Sequence, residues 1–286
     1  MVLKELSVVN FKNFKGIEVS LNPKINCFVG NNGQGKTTLL DAIYYLSFCK
    51  SFLNSIDTQN VNMEESFFVL QGEYEREEKT ERVYCGLKKG QKKVFKRNKK
   101  EYEKLADHIG MFPLVIISPS DSNLITLGSD LRRKFLDGII SQFDHPYLET
   151  LLIYNKAITQ RNALLKYFSR QRTFNQDQLD VWDDQVVKYG NVLYEKRKQL
   201  IQQLTPVFQR YYQQISGGKE EVELVYHSQL EDGDFAGQLK QAYKEDSRRL
   251  FSTVGIPKDD LVFKLSGGQI KKFGSQGQQK SYLIAL

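Results

Sequence analysis

Gly30-Asn31-Asn32-Gly33-Gln34-Gly35-Lys36-Thr37 satisfies the pattern G-x-x-x-x-G-K-[ST] at every fixed position. The flanks agree with it. Ile25-Asn26-Cys27-Phe28-Val29 is an apolar run that predicts a strand leading into the loop. Leu39, Leu40, Ile43 and Leu46 recur at helical spacing over Lys36 to Phe48, which predicts the helix leaving it. Glycines let such a loop wrap a phosphate chain with backbone N–H groups turned inward, at the positive end of the helix dipole. Lys36 is then expected to reach the β- and γ-phosphates of ATP and the Thr37 hydroxyl to hold Mg²⁺, with Thr38 next along the same turn. A glycine-rich turn that merely precedes a helix is the plain alternative; it does not call for both the Lys and the Thr.

The 286 residues exceed an ordinary single domain, and 40% apolar residues are enough for a substantial core. No stretch reaches the roughly 20 apolar residues of a membrane-spanning helix, and Met1 to Leu6 lacks the build of a signal peptide, so a cytoplasmic protein without a membrane partner is expected. Cys27, Cys49 and Cys85 have neither disulfide nor zinc spacing and read as free thiols. The net charge of +7 favours a polyanionic partner.

Upstream of the loop, Lys4–Val9 and Ile17–Leu21 read as strands about a turn at 10–16. Residues 65–117 read as antiparallel hairpins, with a charged turn between Tyr74 and Arg82, a second turn at Lys89-Gly90, and Leu114–Ile117 as a short buried strand. From Leu131 to about Ile215 the period becomes helical, interrupted at 172–176 and closed by Gly217-Gly218. A strand at 221–226, a helix at about 234–251 and a strand at 261–265 follow. Three parts are expected: 1–130, the loop with an antiparallel β subdomain; 131–215, a helical lobe; and 216–286, a return to the first part. The fold class is α/β.

Two segments compete for a second nucleotide motif, a Ser-Gly signature that opens a helix and meets the γ-phosphate of another subunit. Leu265-Ser266-Gly267-Gly268-Gln269 is a literal LSGGQ, but alternating flanks make it a hairpin turn from which no helix is expected to begin. Phe273-Gly274-Ser275-Gln276-Gly277-Gln278-Gln279-Lys280 runs directly into the helix-like Ser281–Leu286, so Ser275, Gly277 and Gln278 are the expected trans contacts. A base-reading Asn-Lys-x-Asp motif of GTPases is not matched by Asn155-Lys156-Ala157-Ile158.

Leu-x-x-x-Asn-Phe-Lys-Asn-Phe at the start, the Gly-x-Asn-Gly-Gln-Gly-Lys-Thr loop, Arg132-Arg133-Lys134-Phe135-Leu136-Asp137, Gln160-Arg161-Asn162 and Gly-Ser-Gln-Gly-Gln-Gln-Lys, in this order, resemble the RecF family over essentially the whole chain. That family comprises bacterial recombination mediators related to SMC-type ATPases. The resemblance implies an ABC-ATPase-like P-loop head with an inserted helical lobe. It also implies an ATP-dependent homodimer, DNA (single-stranded or gapped duplex, without sequence specificity) and a RecR-type mediator as partners, and a role in replication and the SOS damage response. It places Lys12, Asn13 and Phe14 near the adenine or phosphates; a polar turn with one core aromatic would read the same. Where the family has His, this chain has Pro257, so no role is carried over. The family's Walker B carboxylates should follow the signature helix; with Leu286 the last residue, ATP binding with poor turnover is expected and the catalytic residues stay unknown. A nucleotide-gated DNA-binding adaptor, another SMC/ABC-type ATPase and a transporter subunit are the alternatives; the helical insertion and basic charge weigh against the last.

Lys88 to Lys100 holds eight Lys/Arg among thirteen residues and no acid. Lys92, Lys93, Lys96 and Arg97 there, and Arg132 and Arg133 on the next helix, are candidate phosphate contacts for DNA; Arg161, Lys166, Arg170 and Arg172 form a third group. A solubilising surface gives the same pattern. His108, His145 and His227 show no metal spacing.

Overall fold

The computed structural model describes residues 1–286, which form two compact units, Met1–Ile116 and Ile117–Leu286. The first is an antiparallel sheet carrying one helix. β1 (Val2–Phe11), β2 (Phe14–Ser20), β3 (Phe67–Arg76), β4 (Lys79–Lys88), β5 (Val94–Arg97) and β6 (Lys100–Glu101) lie in the order β2-β1-β3-β4-β5-β6. Period-two alternation decides which side chains point inward. Val8 pairs with Leu70, Leu70 with Cys85 and Cys85 with Phe95, giving a row across four strands in which every member is buried. α1 (Lys36–Phe48) lays Leu39, Ala42, Tyr45 and Leu46 on this face. Tyr45, Phe11 and Phe68 meet edge-on at centroid distances of 5.2–5.9 Å, the arrangement that ring quadrupoles favour.

Two expected strands do not form. Ile25–Val29 and Leu114–Ile117 are irregular, and Ile25, Val29, Val115 and Ile117 expose most of their surface. An apolar run becomes a strand only when another strand takes up its N–H and C=O groups, and neither run belongs to either sheet.

The second unit is built on α3 (Ser129–Phe143), α4 (His145–Gln171) and α5 (Gln176–Ser216), preceded by the short α2 (Ser122–Thr126). Asp144 caps α4 by accepting from Tyr147 N, Arg172 ends it in the left-handed conformation, Asn175 caps α5, and Gly217 closes it. At 1.5 Å per residue α5 runs about 60 Å. β7 (Val222–His227), β8 (Asp260–Leu265) and β9 (Gly268–Gln269) form a three-stranded antiparallel sheet; α6 (Phe235–Arg249), α7 (Ile270–Phe273) and α8 (Gln276–Ala285) complete the unit. Helices and sheet share one core, with Leu136, Tyr154, Val186, Leu193, Phe208, Leu239, Phe263 and Tyr282 in it. Buried arginines tie its elements together. Arg161 on α4 donates to Asp183 and Asp246 at 2.6 Å each, and Arg197 on α5 reaches Asp137 at 2.8 Å and Asp259 at 3.2 Å. No helix is long and apolar enough to cross a membrane.

Candidate nucleotide-binding site

The loop from Gly30 to Gly35 enters α1 with Gly35 as its N-cap, at φ +94°, and Gly33 lies at φ +85°. Both are left-handed conformations that glycine adopts without strain. Gly35 is needed twice over, since a Cβ there would sit 2.6 Å from Phe14 Cζ and 2.7 Å from Asn13 Nδ2. Gln34 Oε1 accepts from Asn31 N at 3.2 Å, and Asn13 Nδ2 donates to Gly33 O at 3.3 Å, so the loop is braced from both sides. Lys36 folds back over it, its Nζ donating to Gly30 O and Asn31 O at 2.8 Å each.

No side chain caps α1 and no acid lies in its first turn. The N–H groups at the head of a helix have no partner within it, so this end presents unspent donors and a positive dipole beside the Lys36 ammonium. That is the chemistry a polyphosphate needs, and the residues present fit it. Thr37 is exposed at the same end. Of Lys12, Asn13 and Phe14, at the turn into β2, Asn13 and Phe14 lie against the loop, whereas Lys12 turns inward: its Nζ reaches Asp41 Oδ2 at 2.5 Å and Ser51 Oγ at 3.3 Å. Asp41 also accepts from Phe52 N at 2.7 Å and Ser51 Oγ at 2.7 Å. A lone acid among the apolar residues of α1 was the sequence signal for this anchor.

The literal LSGGQ is a hairpin turn. Leu265 pairs with Gly268 and Lys264 with Gln269, with Ser266 at φ +46° and Gly267 at +81°. A single helical turn, α7, does begin at Ile270, contrary to the expectation of none; Gly274 ends it, where a Cβ would lie 2.8 Å from Ile270 O. Ser275 is the N-cap of α8 in a reciprocal box: Ser275 N donates to Gln278 Oε1 at 2.7 Å and Gln278 N to Ser275 Oγ at 3.2 Å. Ser275 and Gly277 are exposed, while the Gln278 amide is committed internally. Gly277 is the informative one. Its φ is not positive, and a Cβ would meet nothing closer than Ser275 Oγ at 3.9 Å, so the fold itself does not call for glycine there.

Four of the six candidate DNA cations are held by internal partners. Lys93 donates to Asp57 Oδ2 and Cys49 O at 2.6 Å and to Tyr45 OH at 3.1 Å; Arg97 pairs with Glu81. Arg132 clasps Asp260 at 2.6 and 3.0 Å and caps Leu124 O and Leu127 O; Arg133 donates to Asp259 O at 2.7 Å. Arg161 is wholly buried, which removes it from the third group. Lys93 and Arg132, each 10% exposed against a carboxylate, serve the fold. Lys92 is exposed, and Lys96 lies half-buried over the Tyr84 ring, 5.7 Å from its centroid. His108 is buried too. Its Nε2 donates to Leu46 O at 2.6 Å, and burial lowers its pKa to about 4.

Loop, helix and brace define a P-loop ATPase head, and the family model for the AAA ATPase domain matches residues 1–248. The sequence is 50% identical over 287 residues to the DNA replication and repair protein RecF of Phocaeicola vulgatus, covering 100% of this chain and 76% of that protein. The structure of the recombination mediator protein RecF with ATP, in the RecFOR pathway, superposes with a TM-score of 0.93 at 28% identity, covering 99% of this chain and 78% of that one. An SMC head bound to the C-terminal winged-helix domain of ScpA has a TM-score of 0.54 at 12% identity, covering 100% and 74%, and shares the fold. The chain belongs to the RecF family of DNA replication and repair proteins.

Proposed function

We propose that this chain binds ATP with Mg²⁺ at Gly30–Thr38, and that two copies close over the nucleotide, each offering Ser275 and Gly277 to the γ-phosphate held by the other. The pair then engages DNA without reading its sequence and works with a RecR-type mediator in recombinational repair. Lys36 neutralises the β- and γ-phosphates. Thr37 supplies one oxygen to Mg²⁺, and phosphate oxygens and water supply the rest, as suits a cation that keeps much of its hydration. The observation that carries the reading is the uncapped head of α1, set under a glycine loop with Lys36 laid across it. Among the candidate DNA cations, the exposed Lys92, with its exposed neighbours Lys99 and Lys100, gives salt-sensitive contact with phosphates.

Sedimentation with and without ATP and Mg²⁺, followed by DNA titrations at several salt concentrations, tests this. A shift from monomer to dimer on adding ATP, with tighter DNA binding that weakens steeply with salt, is expected. A protein that stays monomeric in saturating ATP would contradict it.

A further inference from the structure

Glu220 lies between α5 and β7, and it connects two elements that the proposed γ-phosphate contact depends on. Its Oε2 accepts from Tyr212 OH at 2.6 Å, and its Oε1 accepts from Gln278 Nε2 at 2.5 Å. Tyr212 is fully buried near the C-terminal end of α5 and packs on Tyr282 of α8 at a centroid distance of 5.9 Å. Tyr282 OH in turn donates to Glu223 O at 2.8 Å, so the body of α8 is docked on α5 and β7. Glu220 adds a hold on the first turn of α8.

The chemistry of the Gln278 amide makes that hold specific. An amide side chain has one acceptor oxygen and one donor nitrogen, and either end can be turned to a partner. Ser275 N needs an acceptor to close the capping box. A carboxylate at Glu220 only accepts, so it selects the orientation in which Gln278 Nε2 faces Glu220 and Oε1 faces Ser275 N. With the amide so fixed, Gln278 N donates to Ser275 Oγ, and the serine hydroxyl keeps its own proton to donate elsewhere. The N–H groups of Gln276 and Gly277 remain at the open helix end.

The geometry assigns Glu220 as a positioning residue for the signature turn: by orienting Gln278 and anchoring it to Tyr212 of α5, it holds Ser275 and Gly277 in the arrangement that receives the γ-phosphate of a second copy. This rests on the proposed trans contact. It also makes α5, through Tyr212, a mechanical input to the ATP-driven pairing of two chains.

The test compares ATP-driven dimerisation with ATP binding by the monomer. Glu220→Ala is expected to weaken the ATP-induced dimer by about tenfold or more, the scale of one lost hydrogen bond to a charged acceptor. Its affinity for ATP as a monomer should stay that of the parent. Glu220→Gln is expected to recover part of the loss, because its oxygen and nitrogen can still serve one partner each. Gln278→Glu keeps a good capping box but sets two carboxylates face to face, and should lose dimerisation. Adding Glu220→Gln to Gln278→Glu exchanges donor and acceptor across the contact and should restore it. Because that last comparison reads a gain, a failure of Glu220→Ala to fold would not blunt it. Parent-like dimerisation by Glu220→Ala, or a double variant no better than Gln278→Glu alone, would overturn the assignment while leaving the trans contact standing. A parent protein that does not dimerise with ATP would overturn the trans contact itself, and this assignment with it.

Discussion

The Lys12 ammonium lies 2.5 Å from the carboxylate of Asp41, which is 1% exposed on the inner face of α1. This pair fixes the turn that carries Asn13 and Phe14 to the helix that carries Lys36, and Asn13 and Phe14 are what brace Gly33 and Gly35. Removing one partner of a buried pair leaves the other desolvated and unpaired. Asp41→Ala is therefore expected to cost about 3 kcal/mol in denaturant unfolding, and Asp41→Asn less, because its one amide oxygen still accepts from Phe52 N. A cost below about 1 kcal/mol for Asp41→Ala would show that the pair does not anchor the helix.

Gly277 separates folding from function. Its backbone conformation is open to any residue and its surroundings are empty to 3.9 Å. In a helix, Gly to Ala adds stability of about 0.5–1 kcal/mol. Gly277→Ala should thus melt at or above the temperature of the parent while losing ATP-dependent dimerisation, since the added methyl occupies the space of the approaching phosphate. A stable variant that still dimerises would remove Gly277 from the trans contact.

His108 gives the first unit a pH dependence. Its Nε2 donates to a carbonyl, so Nδ1 is the unprotonated nitrogen, and it sits without a partner close to Phe95, Tyr102 and Phe112. Burial holds the folded pKa at about 4, below the ordinary value of 6.5. The unfolded chain therefore binds a proton that the folded chain refuses. The neutral ring's contribution is complete above pH 6.5 and is lost as the pH falls from there toward 4, with a ceiling of about 3 kcal/mol. Denaturant unfolding between pH 7.5 and 5 should show this slope in the parent and a flatter one in His108→Phe. Equal slopes would place the titration elsewhere.

The basic hairpin divides into two kinds of lysine. Lys93 is 10% exposed and bound to Asp57, so Lys93→Ala should lower the melting temperature. Lys92, Lys99 and Lys100 are exposed, and replacing all three by Ala should leave the melting temperature alone. If all three meet phosphates, the slope of log K against log salt should become shallower by about 2–3. An unchanged slope would assign these lysines to solubility.

What could be read along the chain, and what could not, follows the range of the forces involved. The P-loop, the hairpins and the helix breaks at Arg172 and Gly217 each depend on residues a few positions apart, and each was visible in the sequence; the last helix was too, though it starts at Gln276 with Ser275 as its cap, not at Ser281. The apolar runs 25–29 and 114–117 look like strands by composition, but strand formation needs a distant partner that composition does not name. Charge counting failed in the same way. Arg132 meets Asp260 across 128 positions and Arg161 meets Asp246 across 85, so cations that looked available for DNA are spent inside the fold. The family likeness of Arg132 to Asp137 and of Gln160-Arg161-Asn162 thereby gains a structural reason. Arg132, Asp137, Arg161 and Asn162 all hold the second unit together.

In the proposed function, the amides from Gly30 to Thr37 and the Lys36 ammonium receive a triphosphate. Equilibrium titration of ATP with Mg²⁺ into the parent and into Lys36→Ala, with matched melting curves in the absence of nucleotide, addresses it most directly. A saturable parent isotherm, a loss of affinity of at least about tenfold in the variant, and unchanged folding are expected. Equal affinity in the two proteins would contradict it.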